Sequence, residues 1–315
     1  MKGPIRIGDI GGSGIRRADV YALNDIRNLK EMTVQEIQSL KKPEEIIFFF
    51  VDDLPKETSH IAYAVAGVIE ERNLVVRAPN FPLLNGFELG KHTTQASGGK
   101  WTKVYNDMEA AAAGMALFSP VDYFLAITVS SGIGIRLVQK KKIICASEGG
   151  HIKIDLSPFA PLCGCGKRGC AEAIVSGDAI KRRVIAETAV RGIKIPENMH
   201  PCAFLDKSYE NGDDWALQIY EMFIAGISLF LAEIGLIFHM PAVIWKGVFI
   251  ENAFNLAAIK DLIREEVWRK TSILFKEKMD FYLSQELAED FLKAKPPRDA
   301  DALIGAAFLS GMRRR

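Results

Sequence analysis

The chain has 315 residues, with 40 Lys and Arg against 39 Asp and Glu and a net charge of +1. That length exceeds a single small core and suits two lobes of roughly 100–200 residues each, and an apolar content of 49% excludes a disordered chain. The near-zero charge excludes nucleic acid as the main partner, because binding phosphate backbones demands a basic surplus.

The basic runs are short. Lys140-Lys141-Lys142 reads as a strand-to-strand turn and Arg313-Arg314-Arg315 as a solvated tail. The opening residues lack the sustained apolar region of a secretory leader. The most apolar stretch, Met222 to Phe238, contains Glu233 and falls short of a bilayer span of about 20 residues, so it is expected to be a buried helix. These features predict a cytoplasmic protein without a membrane partner, and five cysteines in that compartment are expected to be reduced.

In chain order, Ile5–Ile10 predicts a strand, Gly11-Gly12-Ser13-Gly14 a glycine turn and Ile15–Leu23 a second strand. A helix is expected near Thr33–Leu40. Glu45–Val51 (EIIFFFV) is a continuous apolar run of the kind found in fully buried strands, and a strand is predicted there. Strands at Ile61–Ala66 and Leu74–Arg77 flank a turn at Gly67, and alanine-rich Asp107–Leu117 predicts a helix. The pattern then recurs: a strand at Tyr123–Val129, a glycine turn at Ser130–Gly134, and strands at Ile135–Val138 and Lys141–Ala146. Helices broken by Pro196, Pro201 and Asn211-Gly212 fill much of 171–239. A short strand at Ala242–Trp245 and a closing helix at Ala302–Met312 complete the order. A twice-presented strand, glycine hairpin and strand predicts two α/β lobes with a cleft between them.

A phosphate can be held by backbone N–H groups that converge in a concave turn, and glycine is needed where a side chain would block the approach. Asp9-Ile10-Gly11-Gly12-Ser13-Gly14 offers such a turn with a carboxylate at the strand end, where Asp9 is a candidate for Mg²⁺, directly or through water. Ser130–Gly134 offers a second one. Neither is a P-loop, because no Gly-Lys-Ser/Thr follows, and the first leads into a strand, unlike the dinucleotide fingerprint. The alternative reading is a pair of ordinary hairpins.

Residues 148–176 are the most informative segment. His151 is followed by Cys163-Gly164-Cys165-Gly166-Lys167-Arg168-Gly169-Cys170. One histidine and three cysteines at this density predict a tetrahedral zinc site, with the glycines letting the chain wrap around the ion. Four protein ligands leave no open position, so the metal would be structural. Cys145 and Cys202 lie outside the cluster and are expected to be small buried residues. Glu148 and Glu172 flank the ligands, where a rigid loop could aim both carboxylates at neighbouring sugar hydroxyls, with the second ring nitrogen of His151 as a further contact.

With those motifs in place, the chain resembles the ROK family of repressors, open reading frames and sugar kinases. The resemblance rests on Glu148-Gly149-Gly150-His151, on Cys163–Glu172 in full, and on Asp9-Ile10-Gly11-Gly12-Ser13. Ser130–Gly134, Asn106-Asp107 before the alanine-rich helix and Asp301–Ala307 extend it over nearly the whole chain. It implies an α/β, two-lobed actin-like ATPase fold (a duplicated ribonuclease H-like unit) with an interlobe cleft. The smaller lobe is expected at 1–118 plus 300–315, and the larger, carrying the zinc loop, at 119–299.

The resemblance also implies roles. Asp107 is the general base. Asn80, Gly86, Asn106, Asp107, Glu148, His151 and Glu172 contact sugar. Asp9, Gly11, Gly12, Ser13, Ser131, Gly132, Lys246 and Gly247 serve the nucleotide, and His151, Cys163, Cys165 and Cys170 hold Zn²⁺. The implied cofactors are ATP, Mg²⁺ and structural Zn²⁺, the partners are a sugar and ATP, and a homodimer is expected. The implied reaction is ATP-dependent phosphorylation of a hexose, glucose at the 6-hydroxyl by default. The alternatives are an N-acetylhexosamine kinase, or a non-catalytic sugar-binding or sensor protein with a decayed ATP site.

The chain also departs from the family pattern. Trp245-Lys246-Gly247 replaces a triple glycine on the adenosine side, so Lys246 is expected on phosphate or Trp245 on adenine. Ser130 replaces a glycine, and Met108-Glu109 stands where an asparagine is usual after the base. The family's repressors carry an N-terminal helix-turn-helix, which is not expected in a chain whose first strand starts by Ile5.

Overall fold

The computed structural model describes residues 3–11, 14–256, 258–292, 296–297 and 300–312. The chain packs into two compact units: Met1–Asp122, Lys140–Ile143 and Ser284–Arg315 form the first, and Tyr123–Gln139 and Ile144–Leu283 the second.

The first unit contains β1 (Ile5–Gly11), β2 (Gly14–Ala22), β3 (Asp25–Glu31), α1 (Val34–Ser39), α2 (Pro43–Val51) and β4 (His60–Val65). β5 (Val68–Glu70), β6 (Leu74–Arg77), α3 (Leu89–Ala96), β7 (Thr102–Asn106) and α4 (Asp107–Phe118) follow. The second unit contains β8 (Tyr123–Val129), β9 (Ile133–Gln139), β10 (Lys142–Ser147) from Ile144 onward, α5 (Ala171–Val175), α6 (Gly177–Arg191), α7 (Pro201–Glu210) and α8 (Asp214–Phe238). It continues with β11 (Ala242–Lys246), α9 (Val248–Asn255), α10 (Ile259–Thr271) and β12 (Asp280–Leu283), after which α11 (Ser284–Leu292) and α12 (Ala300–Leu309) return to the first unit.

Each unit holds a five-stranded sheet, in the order β3-β2-β1-β4-β7 in the first and β10-β9-β8-β11-β12 in the second. β1 pairs antiparallel with β2 and parallel with β4, just as β8 pairs antiparallel with β9 and parallel with β11. The sheets thus repeat one topology, and the fold is the duplicated α/β actin-like one that the recurring strand–hairpin–strand pattern predicts. The six residues of β4 are all buried, as expected of a parallel strand covered on both faces. The lysine turn falls where expected, with Lys140 and Lys141 both left-handed between β9 and β10.

Glu45–Val51 is not a strand. It lies in α2, which starts with Pro43 at its first position and with the Glu45 carboxylate accepting the Lys41 and Lys42 backbone N–H groups at 2.6 and 3.0 Å. A short apolar run does not distinguish a buried strand from a buried helix, and here the start signal decides. Buried Ile46, Ile47 and Phe50 share one face while Phe48 is exposed. At the other end, the Arg6 guanidinium donates to the Phe50 and Asp52 carbonyls at 2.9 and 3.3 Å, and Arg17 donates to the Asp52 carbonyl at 2.5 Å. Two buried cations from the sheet thereby meet the negative end of α2.

α8 begins eight residues before the predicted apolar stretch and runs for 25 residues. By length and composition alone it could cross a membrane, with a mean hydropathy of 1.9, yet half of its most apolar window is buried within the protein. Trp215, Ile219, Phe223, Ile227, Phe230 and Ile234 form a stripe at helical spacing that joins β8, β9 and β11 in one core.

In the first unit α4 lies against α12 at the closest approach that backbones permit. A Cβ on Gly305 would overlap the Ala110 carbonyl oxygen, and one on Gly114 would overlap that of Asp301. Asp301, buried beside this crossing, accepts the Ser284 hydroxyl at 2.8 Å and the Ala302 N–H at 2.7 Å. The crossing sets the position of α4, whose first residue is Asp107. Gly305→Ala is expected to lower stability by about 1–3 kcal/mol, seen as a lower urea midpoint with an unchanged m-value. An unchanged midpoint would mean that the helices separate without cost.

Candidate functional site

In the first unit, Asp9 lies in β1 two residues before its end, both carboxylate oxygens 3.8 Å from where a Cβ of Gly11 would stand. Gly12 and Ser13, predicted at the same turn, lie outside the described residues. Asp9 is buried and paired with buried Arg16, Nη1 to Oδ2 at 3.0 Å, and the Nε of Arg16 reaches Glu31 at 3.1 Å. Sequence reasoning missed Arg16. The pairing of the two predicted strands carried the signal: residues 9 and 16 are cross-strand partners of β1 and β2.

Asp107 is the first residue of α4, and its neighbour caps the helix. Asn106 is the N-cap: its Oδ1 accepts the Glu109 N–H at 3.1 Å, while its Nδ2 donates to the Gly67 carbonyl at 3.0 Å and to Asp107 Oδ1 at 3.1 Å. Asp107 is half-buried. Met108-Glu109 has a local account: Met108 is buried, and Glu109 takes a two-pronged contact from Arg72 at 2.5 and 2.7 Å. Arg72 also lies 4.7 Å over the ring of Tyr105. Asn80 and Gly86 are exposed on a loop closed by Ala78 N–H donating to Asn85 Oδ1 at 2.7 Å and Gly86 N–H donating to the Val75 carbonyl at 2.8 Å. Gly86 has φ +73°, a conformation that favours glycine.

In the second unit the structure brings together the ends of β8 and β11. Ser131 is exposed in the turn after β8 and Gly132 half-buried. Gly247 has φ +121°, and a Cβ there would overlap the Val129 carbonyl, so this one glycine of the departed triplet is indispensable. Its N–H donates to Glu251 Oε1 at 3.2 Å in the first turn of α9. Lys246 is half-buried at the end of β11. Trp245 cannot stack on adenine: it is fully buried between Phe254 and Phe281, with ring centroids 5.3 and 5.4 Å away. Alternation along β11 turns position 245 into the core, a direction that a three-residue motif does not reveal.

His151, Cys163, Cys165 and Cys170 converge, their ligand atoms all within 4.8 Å of one another. Cys165 Sγ and Cys170 Sγ are 3.7 Å apart, and Cys163 Sγ is 3.5 Å from His151 Nδ1. Zinc at about 2.3 Å from sulfur and about 2.05 Å from nitrogen has tetrahedral edges of about 3.8 and 3.6 Å, so the residues fit the ion. Burial pushes the Cys163 and Cys170 thiols up, Cys170 to about 12, whereas the Lys167 backbone N–H lowers Cys165. A cation is what would hold three such sulfurs as thiolates side by side.

Glu148 is exposed at the start of a 3₁₀ turn, Gly149–His151, that lies flat on β9. A Cβ on Gly150 would stand 2.5 Å from the Ile133 carbonyl. Glu172, in α5 two residues after its N-cap Cys170, places Oε1 4.0 Å from His151 Nδ1 and accepts the Ile133 N–H on Oε2 at 3.0 Å. Among the described residues the second unit therefore assembles two carboxylates, a metal-ready cluster and two glycine-bearing strand ends.

A family model described as "ROK family" matches residues 9–310. An N-acetylmannosamine kinase of Escherichia fergusonii is 30% identical over 311 residues, 96% of this chain and 96% of the relative. The homologue named N-acetylmannosamine kinase in Escherichia coli strain SE11 is 33% identical over 187 residues, and the match spans 58% of this chain and 64% of the relative's length. Among solved structures, a ROK family glucokinase from Streptomyces griseus in complex with glucose and AMPPNP superposes with a TM-score of 0.71 at 21% identity, covering 98% of this chain and 99% of that one. The repeated sheet topology, the histidine–cysteine cluster and a match across nearly all of its length lead to one conclusion: this chain belongs to the ROK family.

Proposed function

We propose that the protein phosphorylates a hexose with ATP, glucose at its 6-hydroxyl in the first instance, using Asp107 as general base. Phosphoryl transfer asks mainly for alignment and charge neutralisation, which glycine turns lined with N–H groups supply. The observation that carries the base assignment is that Asn106, and not Asp107, caps α4. Asn106 then orients the Asp107 carboxylate through the Nδ2–Oδ1 contact of 3.1 Å, ready to take the proton of an attacking hydroxyl.

On this reading Glu148, His151 and Glu172 hold sugar hydroxyls, and Asn80 and Gly86 line the sugar loop. Ser131, Gly132, Lys246 and Gly247 serve the nucleotide in the second unit, and Gly11, Gly12 and Ser13 its phosphates in the first. Asp9, already paired with Arg16, would act on Mg²⁺ through an intervening water. Zinc on His151 and the three cysteines would stiffen the loop and supply no catalytic step.

N-acetylmannosamine is the second candidate substrate, favoured by the names of the 30–33% identical relatives. A coupled ATP assay over glucose, mannose, fructose, N-acetylglucosamine and N-acetylmannosamine is expected to show highest kcat/KM on glucose. Highest turnover on N-acetylmannosamine would move the substrate assignment. No turnover on any of the five, together with no calorimetric ATP binding, would replace the kinase with a sugar sensor.

A further inference from the structure

The turn after β8 is held at its far end by α5 and at its near end by the first residue of α6. At its far end, the Ile133 N–H donates to Glu172 Oε2 at 3.0 Å. At its near end, the Ser130 carbonyl accepts the N–H of Gly177, which opens α6 one residue after α5 ends, at 2.6 Å. Both contacts require bare glycines: a Cβ on Gly132 would stand 2.5 Å from Glu172 Oε2, and one on Gly177 would stand 2.7 Å from the Ser130 carbonyl oxygen. The turn is also closed internally, Ser130 N–H to the Gly132 carbonyl at 3.0 Å.

α5 starts on the metal-ready loop. Cys170 is its N-cap, Ala171 N–H donates to the Ile152 carbonyl at 2.8 Å, and the other Glu172 oxygen, Oε1, lies 3.8 Å from Cys163 Sγ. A continuous run of short contacts therefore links the cysteines to the turn inside a single unit, and the Glu172 side chain touches both.

We propose that Glu172 is a positioning residue for nucleotide binding: its carboxylate sets the Ser130–Ile133 turn, so that affinity for ATP depends on Glu172 even when no sugar is present. The proposal rests on the kinase reading, in which that turn receives ATP phosphates. A turn presents its N–H groups to an anion only while its φ and ψ angles are held. A side-chain oxygen that accepts the Ile133 N–H, at 3.0 Å, holds them at the far end of the turn. The sugar contact assigned to Glu172 and the turn would then share one carboxylate, linking the two substrates through it.

Titration of AMPPNP with Mg²⁺ into the sugar-free protein, followed by calorimetry, tests this. Glu172→Gln keeps a carbonyl oxygen within reach of Ile133 N–H and is expected to bind within about 3-fold of wild type. Glu172→Ala removes the acceptor, and Glu172→Asp keeps the charge but withdraws it by one methylene. Both are expected to bind about 10-fold or more weakly, the scale of leaving a buried donor, here Ile133 N–H, without its acceptor. Zinc content and melting temperature, measured on all three, identify a variant that has lost its fold, and the Asp and Gln variants carry the test if the Ala variant does so. Wild-type affinity in folded Ala and Asp variants overturns the proposal and leaves the kinase reading standing. Weakening in Gln together with wild-type affinity in Asp also overturns it, because charge and not reach would then be responsible. A wild-type protein that does not bind AMPPNP overturns the kinase reading, and this proposal with it.

Discussion

Replacing Asp107 by Asn is expected to reduce kcat by about 10²–10⁴-fold, the usual contribution of a positioned general base, while calorimetric affinity for the sugar stays within a few-fold. The substitution is close to isosteric. Asn keeps an Oδ1 for the contact from Asn106 Nδ2, and the cap of α4 is unaffected because Asn106 supplies it. What is lost structurally is one negative charge in the first turn of a helix, about 0.3–1 kcal/mol, so the variant should melt close to wild type. The kinetic loss therefore reports chemistry and not folding. A kcat within 3-fold of wild type in the folded variant would remove Asp107 from the mechanism and leave the carboxylate as a helix-terminus charge.

Cys170→Ser is expected to abolish stoichiometric zinc in elemental analysis and to lower the melting temperature by on the order of 10 °C, corresponding to a loss of about 3–5 kcal/mol in a protein of this size. The choice of serine sharpens the test. Cys170 is the N-cap of α5 and makes no side-chain capping hydrogen bond, whereas serine is a preferred cap that would by itself favour the helix by about 0.5–2 kcal/mol. Local propensity therefore pushes the result upward, and a fall can come only from the lost sulfur ligand and the emptied space at a fully buried position. The destabilisation should carry into sugar binding, because Glu172 and His151 depend on the same loop. A variant that keeps its zinc and its melting temperature would reduce the four-residue convergence to chance packing of thiols.

Much of this architecture was readable in the chain order. β8 occupies the predicted residues Tyr123–Val129, Thr33 is the cap before α1, and the helix that starts at Asp107 lies where the alanines predict it. The spacing of His151, Cys163, Cys165 and Cys170 announced a metal cluster whose ligand atoms do converge. In each case the information is local: a period, a cap, or a spacing that only a tight loop can satisfy. Several elements of the second half, including α9, α10 and β12, were not predicted, because their amphipathic signals are short and mixed with charge.

The sequence by itself determined the duplicated strand–hairpin–strand order, the metal-ligand set and the position of the carboxylate at the head of α4, because each is written within one turn or one hairpin of chain. Tertiary structure alone decided that Glu45–Val51 coils as a helix whose end meets Arg6 and Arg17, and that Trp245 faces the core. It also decided that Glu172 holds Ile133, a residue 39 positions away. The reason is physical. An apolar run or a lone carboxylate is compatible with several local conformations of nearly equal energy, and the choice among them is made by partners that only folding brings within hydrogen-bonding distance.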